Sequence, residues 1–223
     1  MGVFKKLAGQ TAIYGLSSIV GRMINFLLVP IYTAVLLPAD YGILSELYAY
    51  VAFLLVFLTF GMETTYFKFL NDSNDKQHTF SQSFVILAIV NGLILVFGLV
   101  FLNSIAGWML YEDYPEFIVL LLFIVVLDAL SSLPLAQLRA EQKPVQFAKV
   151  QLGSIFTNIA LNLVLLLIVF NPETDDPYWG ILYILLANLA ASMLKVGLLF
   201  KSYLQVQWTL DKKSIRAMLK YTF

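Results

Sequence analysis

The sequence predicts an all-α polytopic membrane protein with six transmembrane helices. Of its 223 residues, 60% are hydrophobic and 13% are charged, and the mean hydropathy is +0.83. Soluble domains are typically about 45–50% apolar and about 25% charged. The apolar residues fall in six long blocks separated by short polar stretches, which is typical of transmembrane helices. A β-barrel is not favoured, because its strands alternate in hydrophobicity over about 10 residues.

Each of the six blocks is long enough to cross a hydrocarbon core of about 30 Å at about 1.5 Å per residue. The basic N-terminus lacks a small-residue cleavage site after a compact apolar core, so we interpret the first block as an uncleaved span. We expect residues 1–203 to form one six-helix lobe. The predicted spans are residues 8–36, 40–62, 79–103, 115–138, 145–170 and 179–201.

The charges of the loops predict the orientation. Of the 14 Lys and Arg residues, Arg22 and Lys195 lie deep within predicted spans, and all the others lie at span ends or in segments on the side of the N-terminus. The opposite loops, near Asp40 and at "YEDYPE" and "NPETDDPYW", contain no Lys or Arg. Because cytoplasmic loops carry the excess of Lys and Arg, the N-terminus is predicted to be cytoplasmic.

The last segment, residues 204–223, is predicted to be a cytoplasmic amphipathic linker with a helix over 211–223. Two interpretations remain open for it: a helix at the membrane interface, or the approach to a seventh span. We expect the chain to be one part of a longer protein whose second lobe is missing here. The apolar face of this helix is predicted to hold Ile215, Met218, Leu219 and Phe223, with Lys212, Lys213, Arg216 and Lys220 largely off it.

Several kinds of site are excluded by composition. The chain has no cysteine, so it has no disulfide, thiolate nucleophile or Cys-based metal site. Its one histidine, His78, lies in a polar loop, and no cluster shows the spacing of metal ligands. We therefore expect no metal and no cofactor. A net charge of zero gives no support for a nucleic-acid partner.

Polar residues within the predicted spans form stripes along one helix face. In the first span, Arg22 lies near the midpoint, and both it and Asn25 lie within about 40° of one polar line at 100° per residue. The other members of that line are Thr11, Gly15 and Ser18. The remaining stripes hold Gln151, Ser154, Asn158 and Asn162 in span five, Asn188, Ser192 and Lys195 in span six, Asp128 and Ser132 in span four, and Glu46 in span two.

The cost of these charges favours an inward orientation for every stripe. A central Arg, Lys or Asp costs about 2.5–3.5 kcal/mol on insertion, which roughly fifteen apolar residues offset. A charge left facing lipid remains a penalty, so the stripes are expected to face each other or water. Two interpretations stay open: helix packing through Ser, Gly and Asn, or the wall of a wet cavity. Likewise, Asp128 and Lys195 are either a structural ion pair or functional groups.

Arg22 is the strongest candidate for a functional cation. It lies at the costliest depth and is flanked by small residues. A buried guanidinium presents five N–H donors, which suit phosphate or carboxylate oxygens.

Two stretches resemble bacterial polysaccharide-biosynthesis flippases of the multidrug/oligosaccharidyl-lipid/polysaccharide superfamily. The first is "AGQTAIYGLSSIVGRMINFLLVPIYTAVLLPADYGILSELYAYVAFLLVFLTFGMETTYFKF", with its "P-x-Y-T…L-x-P-x-D-Y-G" exit from the first span and its "FGMET" end of the second. The second is "LDALSSLPLAQLRAEQKPVQFAKV", which is similar to the loop between spans four and five of that family. The resemblance covers most of residues 7–150, and the amino-acid sequence is most similar to those of members from Bacteroidetes.

The resemblance implies a fold of two six-helix lobes around a central cavity, as in multidrug-extrusion transporters, with this chain as the N-terminal lobe. It implies movement of undecaprenyl-diphosphate-linked oligosaccharides across the bacterial inner membrane by alternating access. Arg22 and Asn25, with Lys195 and Asn158, are then the candidate substrate contacts. Asp128 and Glu46 are candidates for binding a coupling proton or sodium ion. The expected partners are the lipid-linked oligosaccharide, membrane lipids and the second lobe.

Other functions compete with this hypothesis. A multidrug or cation antiporter of the same superfamily is expected to hold acidic rather than basic groups in its cavity. A membrane enzyme, such as a polymerase or acyltransferase, needs a large loop or a clustered catalytic site, and the loops between these spans are short. We therefore predict that the chain is not an enzyme. A scaffold without transport activity is the remaining alternative.

Overall fold

The computed structural model describes residues 15, 28–209 and 211–222, and all regular structure in these residues is helical. Five helical stretches are long and apolar enough to cross a membrane. These stretches are Pro38–Asp72, Lys76–Val100, Pro115–Ala140, Pro144–Val169 and Pro177–Leu198. The chain is therefore an all-α, multi-pass membrane protein, as its composition predicts.

Ten α-helices make up the described part of the chain. The long ones are joined by short turns, as is usual for helices that neighbour each other in a bundle. They are α1 (Val29–Val35), α2 (Pro38–Thr59), α3 (Met62–Asp72), α4 (Lys76–Val100), α5 (Leu102–Trp108), α6 (Pro115–Ala140), α7 (Pro144–Val164, continued by a π-helical turn at Leu165–Val169), α8 (Pro177–Leu198), α9 (Phe200–Leu204) and α10 (Lys212–Thr222).

Proline marks the start of four long helices, α2, α6, α7 and α8. This is the helix position where its missing N–H costs nothing and its fixed φ is favourable. Helix α4 is capped instead by Asp75, whose side chain accepts a hydrogen bond from the backbone N–H of His78. Helices α2 and α3 are separated at Gly61, whose φ of 68° suits a residue without a side chain.

That separation is stabilised from inside the bundle by Asn91 of α4. Asn91 is fully buried, and its amide donates to the backbone oxygen of Leu58 at 3.0 Å and to that of Leu87 at 2.8 Å. A helix end within a membrane leaves carbonyl groups that need a partner. Asn91 supplies one to the last turn of α2.

The described residues form two compact units, and α2 contributes to both. The first unit contains the residues up to Ala49 together with Glu141–Gly197. Its core packs α1 and the start of α2 with parts of α7 and α8, and its buried members are Leu28, Tyr32, Leu36, Leu44, Leu166 and Ile184. Gly180 permits close packing there, since a Cβ at this position would lie 2.7 Å from a methyl group of Leu36.

The second unit contains Tyr50–Ala140 and the residues after Gly197. Its core is richer in aromatic side chains, and Tyr66 and Phe80 meet edge to face with ring centroids 6.0 Å apart. Gly98 of α4 allows α6 to approach closely, because a Cβ there would lie 2.6 Å from Leu122. Helix α10 adds Met218, only 2% exposed, to this core.

The predicted spans differ from the helices mainly at their ends. The third predicted span, 79–103, corresponds to a helix that begins at Lys76 and ends at Val100. Helix α6 continues to Ala140, two residues beyond the predicted end. The first predicted span, 8–36, lies largely outside the described residues, and only its last part is seen as α1. The predicted division into a lobe at 1–203 and a linker at 204–223 stays a prediction.

Candidate functional site

A network of neutral polar side chains lies within the first unit, and we call it the amide network. It contains Tyr32, Tyr48, Asn158, Asn162 and Asn188. The Tyr32 hydroxyl donates to Asn162 Oδ1 at 3.1 Å, and Asn162 Nδ2 donates to Asn158 Oδ1 at 3.0 Å. Tyr48 lies within hydrogen-bonding reach of Tyr32 and Asn188. Four helices, α1, α2, α7 and α8, thus contribute to one set of hydrogen bonds.

Burial separates the members of this network. Asn162 is fully buried and Tyr32 is 5% exposed, so their hydrogen bond is shielded from solvent. Asn158, Tyr48 and Asn188 are only half-buried. The network therefore has a closed side that joins helices and a more open side that presents amide and hydroxyl groups.

Helix α8 carries the continuation of this polar face. Ser192 is buried, and Lys195, one turn further on, is half-buried. From α7, the buried Ser154 donates to the backbone oxygen of Ala191 at 3.1 Å. The predicted stripe in span five is thus used for packing at Ser154 and Asn162, while Asn158 and Lys195 stay candidates for substrate contact.

The two predicted acidic candidates have different surroundings. Glu46 of α2 is exposed and belongs to the first unit. Asp128 of α6 is half-buried and belongs to the second unit. Asp128 and Lys195 lie in different units, and their pairing stays a prediction.

Asp128 has a neighbour that the helical wheel does not show, Tyr203 of α9. The Tyr203 hydroxyl is buried close to Ser131 and to the carboxylate of Asp128. Burial and this carboxylate raise the pKa of Tyr203 to about 12, against an opposing effect of Ser131. The phenol therefore stays protonated across the physiological pH range and can donate a hydrogen bond.

A second cluster of polar side chains, which we call the clasp, consists of Gln77, Ser81 and Gln82 at the start of α4. These side chains bind the backbone of residues 205–209, which we call the strap, and of Asp211. Gln82, 0% exposed, donates to the Thr209 oxygen at 2.6 Å and accepts from the Asp211 N–H at 3.1 Å. The other clasp contacts join Gln77 Nε2 to Gln205 O at 2.6 Å and Gln207 N to Ser81 Oγ at 3.0 Å.

An ion pair joins the ends of two helices in the second unit. Arg139 near the end of α6 contacts Glu63 at the start of α3, and its guanidinium carbon lies 5.7 Å from the centre of the Phe67 ring. Both charged side chains are partly exposed, so this contact contributes little to stability. The pair links the ends of the two helices.

Arg22 and Asn25, the main candidates in the first predicted span, lie outside the described residues. Their roles stay predictions from the sequence.

Sequence reasoning missed the partners of the polar stripes rather than the stripes themselves. Helical periodicity identifies Asn158 and Asn162, but it cannot show that Tyr32 comes from another helix to meet Asn162. Tyr203 was missed because a tyrosine beyond a span end is common at membrane interfaces. The clasp was missed because glutamine and serine at the start of a helix are ordinary surface residues.

A family model described as "Polysaccharide biosynthesis protein" matches residues 7–223. The match spans the candidate residues of the first predicted span, the amide network and α10. No curated protein and no solved structure matches the chain significantly.

Proposed function

Because the chain belongs to the polysaccharide biosynthesis protein family, we propose that it is the N-terminal lobe of a flippase for undecaprenyl-diphosphate-linked oligosaccharides. The chain is a multi-pass membrane protein of a polysaccharide biosynthesis family, and this supports a role in transport. The observation that carries the proposal is the family match over residues 7–223. In the proposal, the lobe moves against a second lobe, so that the substrate site opens to each side of the membrane in turn.

The amide network supports a sugar-containing substrate. Its half-buried members offer amide donors and acceptors and a phenol, which are the groups that pair with sugar hydroxyls. The buried hydrogen bond between Tyr32 and Asn162 holds α1 against α7 and so keeps these groups in place. Asn158 and Asn188 are the members that we assign to the glycan.

The diphosphate needs positive charge, and we assign it to Arg22. A guanidinium in a water-poor cavity binds phosphate oxygens through charge-assisted, bidentate hydrogen bonds. Asn25 follows Arg22 on the same predicted face and is assigned to the same group. Lys195, half-buried on α8, adds a second cation.

We assign coupling to a proton or sodium ion to Asp128 in the first place and to Glu46 in the second. Asp128 is half-buried and has the buried hydroxyl of Tyr203 nearby. Glu46 is exposed within a long apolar helix. The charge of the loops supports a cytoplasmic N-terminus in the bacterial inner membrane.

The substitution Arg22→Ala in the intact protein tests this assignment. Loss of the cation is expected to abolish export of surface glycan, while the protein level in the membrane stays normal. Cells are expected to accumulate the lipid-linked oligosaccharide on the cytoplasmic side. The measurements are surface-glycan immunoblots and quantification of the lipid-linked intermediate.

Lys201→Ala is the control, since it removes an exposed cation of α9 and is expected to leave export intact. Normal export by Arg22→Ala would overturn the substrate-contact role of Arg22. If loss of the whole protein left glycan export normal but raised sensitivity to cationic drugs, the flippase proposal would be wrong and an antiporter would replace it.

A further inference from the structure

Helix α10 has two faces with different surroundings. Ile215, Met218 and Leu219 pack against the core of the second unit. The cations form a separate arc of about 100° on the helical wheel, which we call the basic face. The basic face consists of Lys212, Lys213, Arg216 and Lys220, all of them exposed.

The apolar face of α10 packs on the protein around Met218. A membrane-surface helix buries its apolar face in the lipid. Here Met218 is 2% exposed and accepts a hydrogen bond from Ser83 at 3.7 Å through its sulfur, so the protein itself covers the centre of the apolar face. What α10 presents to its surroundings is therefore chiefly positive charge.

No acidic partner neutralises the basic face within the described part of the chain. None of its four cations forms an ion pair with a described carboxylate. The acid at the start of the helix, Asp211, is engaged with the helix end, since it accepts hydrogen bonds from Ser214 Oγ at 2.5 Å and Lys213 N at 3.0 Å. Those two donors hold the pKa of Asp211 below its ordinary value.

The shape of the surface favours an amphiphilic ligand. A groove along the helix is lined by Lys212, Arg216 and Lys220 and by the edges of Ile215 and Leu219. Long Lys and Arg side chains offer aliphatic stems below their charges. Such a groove offers contacts to an acyl chain beside contacts to a phosphate, whereas a free phosphate needs only the charges.

The helix is also held in a fixed place. The clasp binds the strap and the residue before α10 through Gln82 and Ser81, both fully buried. At the other end, the Thr222 and Thr65 hydroxyls lie 2.8 Å apart. Anchoring at both ends keeps the basic face in one orientation, so the cations act together.

We propose that the basic face of α10 binds anionic phospholipid head groups, with phosphatidylglycerol as the defined case, at the membrane surface beside the bundle. Clusters of four or more Lys and Arg next to a transmembrane helix are attracted to anionic leaflets, each contributing roughly fivefold to binding near the surface. This inference requires only that the protein lies in a membrane and does not depend on the identity of the transported substrate.

A single fluorophore on the basic face tests the proposal. The sequence contains no cysteine, so Ala217→Cys gives one labelling position among the four cations. The labelled full chain in neutral mixed micelles is titrated with phosphatidylglycerol or phosphatidylcholine carrying the same acyl-chain acceptor. We expect half-maximal energy transfer at a concentration roughly fivefold or more lower for phosphatidylglycerol.

The matched variants carry four Lys/Arg→Gln changes each. Neutralising Lys212, Lys213, Arg216 and Lys220 is expected to make the two lipid curves coincide. Neutralising the exposed Lys68, Lys76, Lys149 and Lys201 is expected to leave the preference in place. Coincident curves in the unmodified chain, or a preference that survives loss of the basic face, would overturn the proposal.

Soluble pyrophosphate separates a lipid site from a free phosphate site. At matched ionic strength, we expect it to leave the phosphatidylglycerol curve unchanged. Displacement of the lipid by pyrophosphate beyond the effect of matched salt would show a phosphate site and would overturn the assignment to a lipid.

Discussion

The amide network of the first unit and the clasp of the second use the same kinds of side chain for different purposes. In the amide network, Tyr32 and Asn162 bond to each other across helices within the apolar bundle. In the clasp, Gln77 and Gln82 bond to the backbone of a segment that is not helical. A helix satisfies its own backbone, so polar side chains within a span must find one another. The strap satisfies only part of its own backbone, and side chains of α4 bind other backbone groups of it.

The difference shows that the cost of losing a buried polar side chain depends on which groups it leaves without a partner. Asn162 and Gln82 are both 0% exposed. Loss of Asn162 leaves a tyrosine hydroxyl that has other polar groups nearby, whereas loss of Gln82 leaves a backbone N–H and a backbone C=O without their partner. We therefore expect substitution of a buried polar side chain to cost more stability in the clasp than in the amide network.

The largest effect is expected for Gln82→Leu in the clasp. Thr209 is exposed and Asp211 is half-buried, so each lost hydrogen bond costs about 0.5–1.5 kcal/mol, and opening of the tail should become easier by roughly 1–3 kcal/mol. Limited trypsin digestion should then cut after Lys212 and Lys213 roughly tenfold faster. Gln146→Leu, at an exposed position of α7, is the control and should leave the rate unchanged. An unchanged rate for Gln82→Leu would mean that the strap is held by its apolar contacts.

An intermediate effect is expected for Tyr203→Phe at high pH. The pKa of Tyr203 is raised to about 12 from an ordinary value of 10.0, so the unfolded chain loses this proton first as the pH rises. Stability is thus unaffected by this group below about pH 10 and falls between about pH 10 and 12, by up to roughly 2 kcal/mol. Unfolding midpoints measured across this range should fall more steeply for the unmodified protein than for Tyr203→Phe. Parallel curves would show that Tyr203 titrates normally.

The smallest effect is expected in the amide network. A double-mutant cycle with Tyr32→Phe and Asn162→Ala should give a coupling energy of about 0.6–1.7 kcal/mol, the range for hydrogen bonds between transmembrane helices. The same cycle with Tyr32→Phe and Ala160→Gly, at an exposed position of α7, should give none. A coupling energy near zero would mean that the 3.1 Å hydrogen bond between Tyr32 and Asn162 does not stabilise the protein.

The sequence predicts the helical membrane fold well, because apolar length is enough to identify a span. It also predicts helix starts near Pro115 and Pro144, since proline favours the first turn. It predicts the division of α10 into basic and apolar faces. It does not predict that Met218 packs on the protein rather than in lipid, because hydrophobicity is the same for both surroundings.

The sequence does not predict those contacts of the candidate site that join residues far apart along the chain. A helical wheel places Asn158 and Asn162 on one face of α7 but says nothing of Tyr32, which is 130 positions away from Asn162. Tyr203 and Asp128 are also far apart in the sequence, so only the structure shows that they lie close together. The family resemblance identified from residues 7–150 is confirmed by the match over 7–223, whereas the roles of Arg22, Asn25, Lys195, Asn158, Asp128 and Glu46 stay predictions.

Transport in a reconstituted system tests the central claim most directly. The intact protein is placed in proteoliposomes with an undecaprenyl-diphosphate-linked oligosaccharide in the inner leaflet, and exposure of the glycan at the outer surface is followed over time. We predict that glycan exposure increases with the protein and stays at the level of protein-free liposomes with Arg22→Ala. Equal rates with the protein and without it would contradict the flippase proposal.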